Sequence, residues 1–307
     1  GPPNLLPAHL CQRTSRKLQA TSMACALTFA RATGSSATYR SRHAASQKNR
    51  RSTGMNRRAA VVQVSASDKP VLYDMPVSNN GARNRLIIYW KGLEDIIDIR
   101  SPMDLGGLKT DEYLALNPQG KMPLLVLPEG LSLPESEVIS QYLLAKYADT
   151  GVSLVPDTPE DTAKANLAAR IHDCYIQTVQ AVMYRACDVD ERAAGIAQIA
   201  AQLQVLEDLC EAGPYFIGSQ PSTADAALFP TFVFMDFMLP SKFGWEDVFK
   251  GKPKLRSWWE TMKADEAGMR VFGEVNGALQ GWDESGRWDK LGITEQLKNN
   301  PDRKWAY

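Results

Sequence analysis

VLYDMPVSNNGARNRLIIYW, residues 71–90, is the stretch on which the reading of the whole chain turns. Val71 to Met75 is a short, mostly apolar run closed by Pro76, which predicts a strand. From Ala82 to Gly92 the pattern changes. Leu86, Tyr89, Trp90 and Leu93 recur at i, i+3, i+4 and i+7, the spacing of one helix face, and Gly92 supplies a stop. Between strand and helix stand Ser78, Asn79, Asn80 and Gly81. A polar loop at such a junction is either a plain connector or a place built to hold a polar ligand.

Working outward from this unit, Ile96 to Ile99 reads as a second strand, so the segment is βαβ and predicts a parallel pair with a right-handed crossover. A short helix over Thr110 to Leu116 follows. Pro123 to Leu127 and Leu131 to Leu133 flank the Pro128-Glu-Gly130 turn as a hairpin, and Ser136 to Tyr147 is an amphipathic helix. The order βαβαββα predicts an α/β domain over 69–148, with a mixed four-stranded sheet and helices on both faces.

Beyond it the chain reads as helical throughout. Thr158 suits a helix cap, Pro159 the first helical position, and Glu160 and Asp161 the positive helix end. Helices are expected over 159–186, 190–212, 223–238, 253–265 and 267–279, giving an all-helical domain over 158–280. The tail, 281–307, holds Trp282, Trp288 and Trp305 but little periodicity, and is expected to lie along the surface.

The chain has 307 residues and 44% hydrophobic content, enough for a sizeable core. No apolar run reaches the roughly 18 residues that a membrane-crossing helix needs. The formal net charge is zero, with 35 basic and 35 acidic residues, but the two signs are segregated. Residues 1–67 hold eleven Lys or Arg and no acid, leaving 24 bases against all 35 acids in the remainder, a net of −11. That head is rich in Ser, Ala, Thr and Arg, which reads as an organelle transit peptide. A plastid is the first expectation and a mitochondrion the second. Met23 is a candidate start. A basic arm for nucleic acid or a membrane surface fits less well, because the head has no aromatic interleaving and the body it would serve is acidic.

Cys11, Cys25, Cys174, Cys187 and Cys210 show neither a disulfide framework nor a CxxC spacing. His172 is the body's only histidine, so no metal site is expected. His172, Cys174 and Cys187 are expected to pack within the helical domain.

Two further stretches carry chemistry. In Asn117-Pro-Gln-Gly-Lys-Met-Pro-Leu-Leu125 a proline opens a strand, where it cannot donate to the ladder. Either Met122–Pro123 is cis, turning the Met122 backbone outward to pair with an extended peptide, or the proline is an ordinary trans one at a strand start. In Pro134-Glu-Ser-Glu-Val-Ile139, Glu135 and Ser136 stand where a helix begins. Free amides at a helix start suit a carboxylate, and Glu135 can accept from an ammonium. Plain capping is the simpler reading.

Taken in order, a loop serine after the first strand, an Asn-Pro-x-Gly-Lys-Met-Pro turn, a Glu-Ser pair and then an all-helical domain resemble the soluble glutathione transferases. Tyr215 to Pro230 resembles that family's Gly-then-Ser-x-x-Asp signature, with Ser222 and Asp225 as a reciprocal helix cap. The resemblance covers residues 69 to about 275. It implies a thioredoxin-like first domain, glutathione as co-substrate with no further cofactor, a hydrophobic electrophile as second substrate, and a homodimer.

In the serine-type members the catalytic serine stands five residues before the Arg-x-Arg helix start, and that position here is Ser78. Ser78 is therefore the expected thiolate donor, with Asn79 or Asn80 able to share the role, because this loop departs from the family's usual Ser-Pro-Phe run. The same resemblance gives Glu135 and Ser136 to the γ-glutamyl end, Met122 with Pro123 to the cysteinyl backbone, and Lys109 and Lys121 to the glycine carboxylate. Tyr175, Met183 and Tyr184 are candidates for the hydrophobic pocket. The expected function is conjugation of glutathione to electrophiles. The alternatives are a non-catalytic ligand-binding or interaction protein of the same fold and a glutathione-dependent peroxidase.

Overall fold

The computed structural model describes residues 68–307. The expected leader over 1–67 lies outside the described residues. The α/β part begins with β1 (Val71–Tyr73), α1 (Asn79–Trp90) and β2 (Asp98–Arg100). A 3-10 turn at Pro102–Leu105 leads to α2 (Asp111–Leu116), then β3 (Leu124–Val126), β4 (Ser132–Pro134) and α3 (Ser136–Lys146). The sheet order is β2-β1-β3-β4, with β1 and β2 parallel and the other neighbours antiparallel. This is the mixed four-stranded, thioredoxin-like arrangement. Strand alternation divides the core. Val71, Tyr73, Leu124 and Val126 meet Leu105 and Tyr113 on one face, while Leu72 and Leu125 face α1 and α3 within the main core.

Several element ends in the α/β part move by one to three residues relative to the sequence expectation, and two of these shifts have a visible cause. Helix α1 starts at Asn79, three residues before Ala82, because Ser78 caps it: the Ser78 Oγ accepts from the Gly81 N–H at 3.0 Å. The second strand begins at Asp98, because turns closed by hydrogen bonds from Ile96 and Ile97 to the Leu93 carbonyl hold the preceding residues.

The helical part comprises α4 (Pro159–Ile171), α5 (Val189–Leu209), α6 (Thr223–Phe243), α7 (Pro253–Ala264) and α8 (Glu266–Glu284). The single helix expected over 159–186 is broken. After Ile171 a π-helical turn spans His172–Ile176, closed by Gln177 N–H to the His172 carbonyl at 2.8 Å, and a 3-10 turn spans Gln180–Met183. Helix α6 runs five residues past its expected end, through Pro230 and Pro240. It is the buried axis of this part and packs against α1, α4, α7 and α8, so tertiary packing carries the helix past two prolines that would break an isolated one.

The tail departs most from expectation. It folds into α9 (Arg287–Lys290) and α10 (Ile293–Lys298) and packs against the helical core. Trp288 is buried and donates from Nε1 to the Met183 carbonyl at 2.9 Å. Gln296 accepts from the buried Arg192 and donates to the Cys187 carbonyl. These anchors lie far away in sequence, so local periodicity held no sign of them. Among the described residues no helix is long and apolar enough to cross a membrane.

At the start of α6 the Asp225 carboxylate is fully buried and receives four donors: the Phe216 amide, the Ser222 amide and hydroxyl, and Trp258 Nε1, all at 2.7–2.9 Å. Burial raises its pKa. Removing this acceptor strands several buried donors at once. Asp225→Ala is therefore expected to lower unfolding free energy by about 4 kcal/mol or more in urea denaturation. A loss of under about 1 kcal/mol would show that these contacts do not hold the helix start.

Candidate functional site

Strand register brings the three informative stretches to one edge. Tyr73 at the end of β1 pairs with Leu124 at the start of β3, and Leu124 pairs with Pro134 at the end of β4. The segments beyond those residues, Ser78 to Asn80, Met122–Pro123 and Glu135–Ser136, therefore leave the sheet from the same side. Helices α1 and α3 begin there, and their unpaired amides create a positive region at the rim.

Ser78 is 8% exposed and sits at the cap of α1 in extended backbone. Its hydroxyl oxygen accepts from Gly81, which leaves the hydroxyl proton for another partner. Asn79 points away from the rim. Its amide nitrogen, with two N–H groups to give, is within hydrogen-bond reach of Thr231 Oγ1 at 2.7 Å, Gln180 Oε1 at 3.1 Å and Gln177 Oε1 at 3.2 Å. That amide is committed to the helical part, which removes Asn79 as a donor to a bound sulfur. Asn80 stays half-buried in the first turn of α1.

The Met122–Pro123 bond is cis, which decides between the two alternatives open in the sequence. Asn117 shapes the turn before it: its Nδ2 donates to the Lys121 carbonyl at 2.8 Å and its Oδ1 accepts from the Gln119 amide. Lys121 is exposed, and Lys109 reaches over the same turn to the Gln119 carbonyl at 3.3 Å. Both cations thus stand at the rim.

Glu135 has φ +72° and is the only non-glycine residue with positive φ among those described. Its side chain makes no capping bond and is exposed. A strained backbone held by its surroundings points to a functional site. Asn84 of α1 donates to the Ser136 carbonyl at 2.9 Å and to Ser140 Oγ at 3.0 Å, which locks the start of α3 against α1. The neighbouring Arg83, also buried, pairs with Glu137 of α3 and, at 3.0 Å, with Asp173 of the π-helical turn.

The facing wall comes from that turn and from α6. His172 is fully buried between Asp173, at 2.9 Å from Nδ1, and Thr231, at 2.7 Å from Nε2. Burial lowers its pKa despite the adjacent carboxylate, so the ring is neutral. Burial alone would raise the Asp173 pKa, but the His172 hydrogen bond and Arg83 outweigh it and hold the carboxyl below its usual range. Asn79, Thr231, His172 and Asp173 form one continuous chain between α1 and the helical part. Gln177, Gln180 and Thr231 were missed from sequence. They read there as ordinary helix residues, and only the π-helical turn aims the two glutamines at α1.

The expected hydrophobic pocket is corrected in part. Met183 is completely buried in the main core, behind Trp288, and cannot touch a substrate. Tyr175 is 52% exposed. Tyr184 is partly buried against Phe234 and Trp282, and its hydroxyl lies 3.5 Å from Gln180 Nε2. Of the three, Tyr184 connects to the Asn79 cluster. Cys174 is exposed rather than packed inside, and Cys187 is half-buried. Among the described residues no group of His, Cys, Asp or Glu is arranged to hold a metal ion. A shallow cleft of about 300 Å³ lies along the edge strand β2, bounded by Glu94, Asp98, Arg100 and Arg270, and none of the rim residues named above lines it.

Beneath the rim lies a residue that sequence reasoning passed over. Asp74 follows β1, and its carboxylate is wholly buried with Arg85 Nε at 3.1 Å. Arg85 also pairs with Glu274 of α8 at 2.9 Å and donates to the Pro76 carbonyl at 3.0 Å, so one guanidinium ties the loop carrying Ser78 to both parts of the molecule. An acid inside the first apolar run was the available signal.

Residues 72–151 match the family model described as glutathione S-transferase, N-terminal domain, and residues 189–260 the one described as glutathione S-transferase, C-terminal domain. The chain is 30% identical over 219 residues to glutathione S-transferase 3 of Zea mays, covering 66% of this chain and 93% of that protein. It is also 30% identical to the probable glutathione S-transferase BZ2 of Zea mays, covering 66% of this chain and 90% of that one. Among solved structures, glutathione S-transferase III in its apo form superposes with a TM-score of 0.57 at 25% identity, over 67% of this chain and 97% of that one. With these similarities running in order through the rim and the helical part that faces it, the chain belongs to the glutathione S-transferase family and is a glutathione S-transferase.

Proposed function

We propose that this transferase activates glutathione through Ser78 and conjugates it to hydrophobic electrophiles held between the rim and Tyr184. The carrying observation is the place of Ser78: a buried hydroxyl at the cap of α1, on the sheet edge that also holds Met122–Pro123 and Glu135–Ser136. A free thiol has a pKa of about 8.5, and its thiolate is the nucleophile. A hydroxyl proton donated to sulfur, beside the positive end of a helix, favours the anion. Lowering the pKa by roughly two units needs about 3 kcal/mol, the order that one charge-assisted hydrogen bond and a helix terminus supply together. Ser78 acts as a donor and forms no covalent bond. His172 does not serve as its base, being buried and engaged with Thr231 and Asp173.

The tripeptide is placed by the remaining rim groups. Glu135 accepts the γ-glutamyl ammonium, and the α3 amides at Ser136 take its carboxylate. The Met122 backbone pairs with the cysteinyl residue, and Lys109 and Lys121 face the glycine carboxylate. Two chains pair, each covering exposed apolar side chains of the other: Leu131 and Val138 in the α/β part against Leu167 and Tyr175 in the helical part, each about half exposed in the single chain. Residues 1–67 direct the protein to a plastid, a reading supported by their eleven bases and lack of acids.

Ser78→Ala is expected to lower turnover of an aryl halide by about 10² while retention on immobilised glutathione persists. Unchanged turnover would exclude the hydroxyl as the activating group. Light scattering is expected to give a dimer, and Val138→Glu with Leu167→Glu a monomer; a monomeric parent would remove the pairing. Residues 1–67 fused to a fluorescent protein are expected to enter plastids, and fluorescence confined to the cytosol would reject the targeting role.

A further inference from the structure

The Asp74 side chain is an unusual neighbour for a group that must stabilise a thiolate. It is inaccessible to solvent, and neither carboxylate oxygen receives a hydrogen bond of good geometry. It lies under the first turn of α1, pressed against Gly81: a Cβ at that position would fall 1.7 Å from Asp74 Oδ1. No side chain other than hydrogen fits there while the carboxylate stays, so Gly81 and Asp74 form a matched pair. The charged and titratable groups around it are Arg85 of α1, Glu274 of α8 and Tyr113 of α2. The Ser78 hydroxyl and the Met75 amide lie close enough to favour its charge. A buried carboxylate short of donors draws protons from what lies nearest. Ser78 is the neighbour whose proton is uncommitted, because its oxygen already accepts from Gly81.

We propose that Asp74 is a positioning residue for glutathione activation: as a carboxylate it competes with the bound sulfur for the Ser78 hydroxyl proton, and so sets the pH at which the thiol ionises. The proposal rests on the reading of Ser78 as thiolate donor. With Asp74 ionised, the hydroxyl has two acceptors, the carboxylate and the sulfur. With Asp74 protonated, the carboxyl donates to Ser78 Oγ, and the hydroxyl proton turns to the sulfur. No covalent bond forms or breaks; one proton attached to Ser78 changes its acceptor. Burial raises the Asp74 pKa to about 6, against the pull of Arg85, so near neutrality the group is ionised in a site that poorly solvates it. Arg85 holds the carboxylate in place, and through Glu274, which also accepts from Tyr89 and pairs with Arg270, it ties this arrangement to α8.

The test is the pH profile of kcat/KM for glutathione with an aryl halide, measured on the full chain for the parent, Asp74→Asn, Ser78→Ala and the double variant. The acidic limb is expected to move about one pH unit lower in Asp74→Asn. In the Ser78→Ala background the same change is expected to move it by a fifth of that or less, because the hydroxyl that links the two groups is gone. A shift of equal size in both backgrounds would mean that Asp74 acts by charge alone, and would overturn the proposal, as would no shift or an upward one. If Ser78→Ala leaves both rate and profile unchanged, the Ser78 reading itself fails and this proposal with it. Should thermal unfolding show that Asp74→Asn does not fold, Asp74→Ala, smaller and clear of Gly81, is expected to give at least as large a shift.

Discussion

Helix α1 and its C-cap sink three cations into the interior, and the arrangement of everything else follows from where they find partners. Arg83, Arg85 and Lys91 are all nearly inaccessible to solvent. A buried charge is costly without a partner. Arg83 reaches α3 and the π-helical turn, Arg85 reaches Asp74 and α8, and Lys91 donates to the carbonyls of Tyr147, Thr150 and Val152 beyond α3. Asn79 and Asn84 extend the pattern to α6 and α3. Few other positions of these elements give all five side chains a partner together, so the pairs select one geometry while apolar burial supplies most of the driving force.

That constraint is why the rim is exact. The start of α1 is fixed from above by Asn79 on Thr231 and from below by Arg85 on Asp74 and Pro76. The start of α3 is fixed by Asn84 on the Ser136 carbonyl, which helps hold Glu135 in its positive-φ conformation. The groups proposed above to hold glutathione are thus carried on helix starts whose supporting hydrogen bonds come from the protein itself. Preorganised donors need little rearrangement when charge develops on sulfur.

The helical part contributes a wall rather than a donor. Its buried α6 presents Thr231 to Asn79, and the neutral His172 completes the chain to Asp173. The break after Ile171 is what brings Gln177 and Gln180 to this interface, in keeping with the frequent place of π-helical turns at functional sites. The folded tail closes the far side of Met183 and Tyr184 through Trp288 and Trp282, so the segment carrying these residues is braced between the rim and the C-terminal helices.

Much of this was written in local pattern. Alternation and helical spacing predict βαβαββα and a helical remainder, and that order brings the loops carrying Ser78, Met122–Pro123 and Glu135–Ser136 to one sheet edge. Those features depend on residues close in sequence: a strand's period, a capping side chain, a turn's glycine. Tertiary structure alone decided what Asn79 points at, that Met183 is core, that the tail folds, and that Asp74 lies beneath Ser78. Each of these depends on contacts between elements far apart in the chain, where the burial of a polar group is settled by the partner that arrives, and one sequence names its residues without naming their partners.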